Sequence, residues 1–311
     1  MGHHERVSII IPTYNGGADL RRTLASVSVQ TYPHFEVLVV DDDSDDGTPD
    51  QIERWPEWDY RMRLIRLTHS SGGPARPRNV GIEEATGSFI ALLDDDDSWF
   101  PDKLERQLTR LRESGGSIVY SRATVQDRLN PARGQDYHQR WTPSVAGTLP
   151  EGDIWTELVR ESIVPVLTVM FERKLADRVG SFDEHLTGVE DYHYWLRASA
   201  QGEHFCAVQT ATATYTWSPT NLSHGRAGVQ LRTLVALWLD IHRRYSYRPE
   251  TAAALRKSRR ALGDALLLQA TQRGFSLTNR FSLGTEGLTN GPSPEAMWLA
   301  VKRLGRLAVG K

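Results

Sequence analysis

An α/β domain, with a mostly parallel sheet covered by helices on both faces, is what the first 120 residues of this 311-residue chain predict. Two observations lead there. Short β-branched runs, nearly continuous in apolar character, recur at residues 6–11, 35–40, 63–67, 88–93 and 117–120. Between them, apolar residues return at helical spacing, as at Leu20, Leu24 and Val27. Strands that are apolar throughout, and not alternately polar, belong to sheets buried on both faces.

Taken in order, the first run ends in Pro12-Thr13-Tyr14-Asn15 and leads into the helix of Leu20 to Val27. The second ends in Asp41-Asp42-Asp43. The third leads to Ser70-Ser71-Gly72-Gly73-Pro74 and a helix over 75–85. The fourth ends in Asp94-Asp95-Asp96-Asp97, after which Pro101-Asp102 opens a helix carrying Leu104, Leu108 and Leu111, closed by Ser114-Gly115-Gly116. Residues 127–150 are polar with three prolines and read as a long loop or flap. An apolar run at 163–171, a Gly180-Ser181-Phe182-Asp183 turn and an acid-opened helix over 191–200 come next. Beyond Gly225, amphipathic patterns at 229–245, 252–273 and 294–307 predict a helical tail, with a boundary near Arg226.

Composition narrows the function. Charged residues at 24% and hydrophobic ones at 39% are ordinary for a folded protein. With 37 basic against 39 acidic residues, no overall basic field marks a nucleic-acid binder. The single cysteine, Cys206, allows neither an internal disulfide nor a multi-cysteine zinc site and reads as a buried thiol. No leader pattern or bilayer-length apolar run is evident, so a soluble cytoplasmic enzyme is expected.

In parallel α/β sheets, ligands bind beyond the carboxyl ends of the strands. The residues just past each run therefore carry the chemistry. Four adjacent carboxylates, Asp94 to Asp97, repel one another at the mouth of an apolar strand, and a divalent cation relieves that repulsion. Alternate residues Asp94 and Asp96 are the metal-binding candidates, since hard cations take oxygen ligands. A solvated acidic loop is the competing reading. Asp42, Ser44, Asp46, Gly47 and Glu53 match calcium-loop spacing, but that loop lies between two helices and here a strand precedes it. Asp41 and Asp42 read instead as a strand-end pair able to bond a base or ribose, or as turn chemistry. The Gly72-Gly73 loop with Arg78 suits a diphosphate. Glu190-Asp191 places carboxylates at a helix start, where an acidic cap is the alternative.

These motifs, in this order, resemble the inverting family 2 glycosyltransferases. The likeness runs through residues 8–15, 39–48, Gly72-Gly73-Pro74, 78–82, 85–87, 94–99, 101–105, 180–183, Glu190-Asp191 and 195–197. It covers roughly residues 5–223 and not the tail. It implies a GT-A (Rossmann-like) fold with a helical C-terminal extension: a glycosyltransferase domain at 1–225, its nucleotide-binding half about 1–120 and acceptor half about 121–225, and the extension at 226–311. It implies a nucleoside-diphosphate-sugar donor of UDP, dTDP or GDP type, an acceptor hydroxyl or amine, Mn²⁺ or Mg²⁺ at Asp94 and Asp96, and Asp191 as catalytic base. Pro12, Thr13, Tyr14, Asn15, Asp41, Asp42, Arg78, Asp94 and Asp95 would face the donor; Glu190, His193 and Trp195 are the acceptor-side candidates. Two departures stand out. His193 occupies a place where many relatives have Asp, and Tyr215-Thr216-Trp217-Ser218 lacks a histidine common there, with His224 a weak substitute. A helix N-terminus lowers a carboxylate's pKa whereas a base needs it near neutrality, so burial would have to compensate at Asp191. The competing functions are a nucleotidyltransferase making nucleotide sugars and a non-catalytic nucleotide-sugar-binding scaffold whose tail pairs subunits.

Overall fold

The structure, a computed structural model, describes residues 5–128, 135–137, 139, 142, 145–218, 227–270, 286, 289–297 and 299–300. By contact density the chain divides into two compact units, Met1–Pro219 and Thr220–Lys311. Arg226, His224 and the expected helical stretches beyond 270 and 300 fall outside the described residues.

In the first unit the elements are β1 (Val7–Thr13), α1 (Gly17–Ser28), β2 (Phe35–Asp41), α2 (Thr48–Gln51), β3 (Met62–Arg66), α3 (Ala75–Glu84), β4 (Phe89–Leu92), β5 (Ser98–Trp99) and α4 (Lys103–Ser114). Next come β6 (Ile118–Asp127), β7 (Gln135–Asp136), α5 (Trp155–Arg160), β8 (Met170–Glu172), α6 (Arg173–Val179), α7 (Glu190–Ala200) and β9 (Phe205–Trp217). One sheet takes the order β3-β2-β1-β4-β8-β6-β9-β5, with β7 beside β6. The first four strands are parallel, as the buried runs predict. β8, which is antiparallel to both β4 and β6, joins them to the second half, where β6 and β9 are again parallel.

Strand order fixes where a ligand can sit. From β1 the chain builds outward to β2 and β3 on one side and then returns to place β4 on the other. In a sheet of this kind the ligand crevice is expected where that order reverses, beyond the carboxyl ends of β1 and β4. Every residue of β1, β2 and β4 is buried. Their side chains, with Leu20, Leu24 and Val27 of α1 and Leu104, Leu108 and Leu111 of α4, form one apolar core. Cys206 lies in it. Helix α3 approaches β1 closely because Gly81 has no side chain; a Cβ there would stand 2.5 Å from Ile10 Cγ2.

The sequence patterns do not announce the second half. β5, β7, α5 and α6 lack a clear periodic signal, and the long β9 crosses from apolar Phe205-Cys206-Ala207 into a Thr- and Ala-rich stretch with weak strand character. The loop expected over 127–150 contains the short strand β7, paired with β6 at Thr124 and Val125. The calcium-loop spacing at 42–53 is not realised: it begins beyond β2, and Asp46 accepts from the Thr48 N–H at 2.9 Å and from the Thr48 hydroxyl at 2.6 Å in a local turn before α2.

The second unit contains α8 (Ala227–Arg244) and α9 (Pro249–Ala270). Val235, Leu262 and Leu266 are its buried contacts, flanked by Leu231 and Leu255. Among the described residues, no helix is long and apolar enough to cross a membrane.

Gly81→Ala tests the tight α3–β1 contact. Helix propensity alone favours alanine by about 1 kcal/mol, but overpacking against a fully buried Ile10 costs about 1–3 kcal/mol. The variant should melt below wild type in a thermal denaturation; an equal or higher Tm would show that β1 yields freely.

Candidate active site

The crevice is built by the segments that leave β1, β2 and β4, with the start of α7 brought to it. The β1 and β4 exits are joined directly, because Thr13 Oγ1 donates to Asp95 Oδ2 at 2.6 Å. Gly16 permits that contact; a Cβ on it would lie 2.4 Å from Thr13 Oγ1 and 2.6 Å from Asp95 Oδ2. From α1, Thr23 donates to the Asp95 and Asp97 carbonyls at 2.9 and 2.6 Å, holding the aspartate run as a turn. Sequence reasoning passes over both Gly16 and Thr23. Their only signal is proximity to Thr13, since neither carries chemistry of its own.

The four aspartates have separate surroundings. Asp97 is buried and accepts from the Thr216 backbone N–H at 2.7 Å, so it fastens β9 to the end of β4. Its carboxyl is pushed well above the usual range by burial and then by Asp96 and Asp94. Burial, partly offset by Thr13, raises Asp95 to about 7. Burial and the neighbouring Asp94 raise Asp96 to about 6. Asp94 is held differently, by Arg78.

Arg78, on α3, is buried, with Nη2 donating to Asp94 Oδ1 at 2.6 Å and Nη1 to Glu190 Oε1 at 2.7 Å. Gly188, at φ +84°, donates its N–H to the other Glu190 oxygen at 2.7 Å. The adjacent Asn79 exchanges hydrogen bonds with the Phe182 backbone at 2.8 and 3.0 Å. Through these two residues α3 grips the 182–190 segment and sets the first turn of α7 beside the aspartate run. Asp191, half-buried in that turn, has its pKa raised to about 7, by burial first and Glu190 second, against the lowering influence of Arg78 and of the Tyr192 N–H it accepts. Burial thus acts in the direction opposite to that expected of a helix N-terminus.

Several expected site residues have other employment. The sequence suggests Arg78 at a diphosphate, but both terminal nitrogens are taken by Asp94 and Glu190. Glu190, expected to face an acceptor, is instead Arg78's buried partner. Trp195 is fully buried among Phe171, Phe182 and Tyr194, at ring separations of 6.2, 6.3 and 5.2 Å, and His193 is buried too, so neither presents a surface to an acceptor. Asn15, at φ +55°, donates to Asp45 at 2.9 Å and ties the β1 exit to the β2 exit. Pro12 is buried within β1 opposite Val40. Asp42 accepts from Ser70 Oγ and from the Ser71 N–H and Oγ at about 3 Å, fastening the loop before α3. Asp41 is buried, with burial raising its pKa. Tyr14 is 54% exposed at the crevice rim. The Pro101-to-Glu105 segment is structural: Lys103 is buried 4.2 Å over the Trp99 ring and donates to Gln107.

The sequence matches the family described as Glycosyl transferase family 2 over residues 8–154. TuaG of Bacillus subtilis (strain 168), named for teichuronic acid biosynthesis, is 30% identical over 196 residues, 63% of this chain and 73% of that protein. The Escherichia coli protein WfgD, named as a UDP-Glc:alpha-D-GlcNAc-diphosphoundecaprenol beta-1,3-glucosyltransferase, is 31% identical over 192 residues, 61% of this chain and 68% of its own length. In fold, S. aureus TarS 1-349 in complex with UDP-GlcNAc superposes with a TM-score of 0.59 at 18% identity, covering 92% of this chain and 89% of that one. The mannosyltransferase PcManGT from Pyrobaculum calidifontis, in complex with GDP-Man and Mn²⁺, gives 0.60 at 21% identity, covering 97% and 85%.

Substitution of the buried charges has measurable consequences. Arg78→Met leaves Glu190 unpaired in the interior and should cost about 3–5 kcal/mol in urea denaturation; adding Glu190→Gln should return part of it, and no recovery would mean the two do not act as a pair. Asp96→Asn should stabilise the metal-free protein. The raised pKa means folding opposes ionisation of Asp96, so the penalty grows as pH rises from about 4 to about 6 and stays above that. Thermal melts in chelator should show the variant several degrees higher at pH 8 and level with wild type near pH 4; a difference independent of pH would refute the assignment.

Proposed function

The chain belongs to glycosyl transferase family 2 and has the GT-A fold, which makes it a glycosyl-transferring enzyme, and we propose that it moves a sugar from a nucleoside-diphosphate-sugar donor to an acceptor hydroxyl with inversion at the anomeric carbon. The observation that carries this reading is the Arg78 bridge, which sets Asp191 beside the aspartate run at the point where strand order reverses. The donors in the two solved neighbours, UDP-GlcNAc and GDP-Man, support a nucleotide sugar of UDP, dTDP or GDP type. WfgD's named acceptor makes a saccharide on a lipid diphosphate the first acceptor class to try.

On this reading Thr13, Tyr14 and the loops fastened by Asp41 and Asp42 receive the base and ribose. Asp42 acts through Ser70 and Ser71, shaping the pocket wall. Arg78 acts on the donor site through Asp94 and not by touching the diphosphate. A divalent cation, Mn²⁺ or Mg²⁺, suits the carboxylate oxygens of Asp94 and Asp96, whose like charges repel one another. Among the described residues no group of three or more His, Cys, Asp or Glu side chains is arranged to hold a metal, so diphosphate and water oxygens complete the set. When bound, the cation neutralises charge on the departing nucleoside diphosphate. Asp191 takes the acceptor's proton as its oxygen attacks the anomeric carbon. A carboxyl with a pKa of about 7 is a far better base than one near 4, and it is still substantially ionised at neutral pH.

Asp191→Asn should keep donor affinity, measured by calorimetry, while turnover falls by roughly 10²–10⁴. The wild-type kcat/KM should drop below about pH 7, because the base must be ionised, and should level off above it. Near-normal turnover in the variant, or a rate flat from pH 5 to 8, would sink the base assignment.

A further inference from the structure

The near-zero net charge of −2 conceals a division. The second compact unit, residues 220–311, carries fifteen Lys and Arg against five Asp and Glu, whereas the first carries twenty-two against thirty-four. An acidic catalytic unit thus precedes a strongly basic helical one.

The structure shows where part of that excess is displayed. Helices α8 and α9 are joined by four residues, 245–248, which places them as antiparallel neighbours. Ala254, Leu262 and Leu266 of α9 turn inward. Arg256, Lys257 and Arg260 are exposed on the other side of α9, one helical turn apart, and Arg243 is exposed at the end of α8. Among the described residues none of these four takes part in an ion pair. Three of the unit's five acids are engaged elsewhere: Asp240 with Arg244, Glu286 with Arg232, and Asp264 accepting from the Ser293 N–H at 2.6 Å, while Glu250 and Glu295 are exposed. Like charges at i, i+4, as in Arg256 and Arg260, cost a helix stability, so the pattern is not explained by folding. Among the described residues of this unit three large apolar side chains are exposed, Leu239 at 50%, Tyr247 at 70% and Met297 at 44%, with Leu239 one turn from Arg243.

We propose that the basic helical unit docks on an anionic lipid bilayer surface, with Arg243, Arg256, Lys257 and Arg260 meeting lipid phosphates and Tyr247 and Leu239 entering the headgroup layer. Cations near an anionic bilayer each gain appreciably, and amphipathic aromatic rings favour the interface. A nucleic acid fits less well, because a basic groove interleaved with stacking aromatics is the usual device for single strands, and among the described residues Tyr247 is the one aromatic exposed in this unit. This inference is independent of the donor-site reading.

The test is co-sedimentation of the full chain with vesicles of phosphatidylcholine alone and of phosphatidylcholine mixed with phosphatidylglycerol. Binding is expected to the mixed vesicles, to be lost at high salt, and to be weak on the neutral ones. Arg256→Glu/Arg260→Glu should bind at least about tenfold more weakly while keeping wild-type melting and donor hydrolysis. Asp191→Asn should bind vesicles like wild type, so failure of the catalytic reading leaves this result intact. Equal binding to neutral vesicles, no binding at all, an unaltered double variant, or tighter binding to duplex DNA than to vesicles would each overturn the proposal.

Discussion

A single buried guanidinium organises the catalytic unit. Arg78 reaches from α3 to Asp94 at the end of β4 and to Glu190 at the start of α7, residues 96 apart in the chain. Two charges of one sign would not stay together in the interior without the cation between them, and the cation would not stay buried without both. Geometry that the sheet alone leaves undefined, namely where α7 begins relative to the strand ends, is therefore set by one ion-pair cluster. Asn79 reinforces it through the Phe182 backbone, using the next residue of the same helix.

The same cluster tunes the groups around it. Asp191 feels burial and Glu190 on one side and Arg78 on the other, and the balance leaves it near neutrality. Asp95 and Asp96 also sit above their ordinary range, by burial foremost. A fold that keeps several carboxylates partly desolvated gives up stability at neutral pH, and such strain is characteristic of places that await a charged ligand. The carboxylates differ in their surroundings: Asp97 accepts from the Thr216 N–H and closes a strand contact, whereas Asp96 has a carbonyl tied to Arg22 and a carboxylate raised by the charge of Asp94.

Much of this was legible in the sequence, for a physical reason. Parallel strands buried on both faces leave continuous apolar runs, and the polar residues that end them must lie at the ligand-binding edge, so Thr13, Asp42 and the Asp94-to-Asp97 run could be placed by topology alone. What could not be read was competition among side chains distant in sequence. Arg78 next to a Gly-Gly loop looks like an anion binder until Glu190 claims it. Trp195 and His193 look like acceptor contacts until α7 proves to be buried at every residue but Asp191. β9 escapes notice because its outer half alternates Thr with Ala and is weakly apolar, its place secured by Asp97 and by pairing with β6.

Whole-chain averages hide one further property. A net charge near zero argues against a polyanion-binding protein only when the charge is evenly mixed, and here the acids crowd the first unit while the bases crowd the other. Electrostatic screening acts over roughly 10 Å at moderate ionic strength, so a charged surface meets whichever unit it approaches and not the sum. The acidic unit would be repelled by lipid phosphates and the helical one attracted. If acceptors are lipid-linked, attachment through the helical unit converts a search through solution into one over a surface.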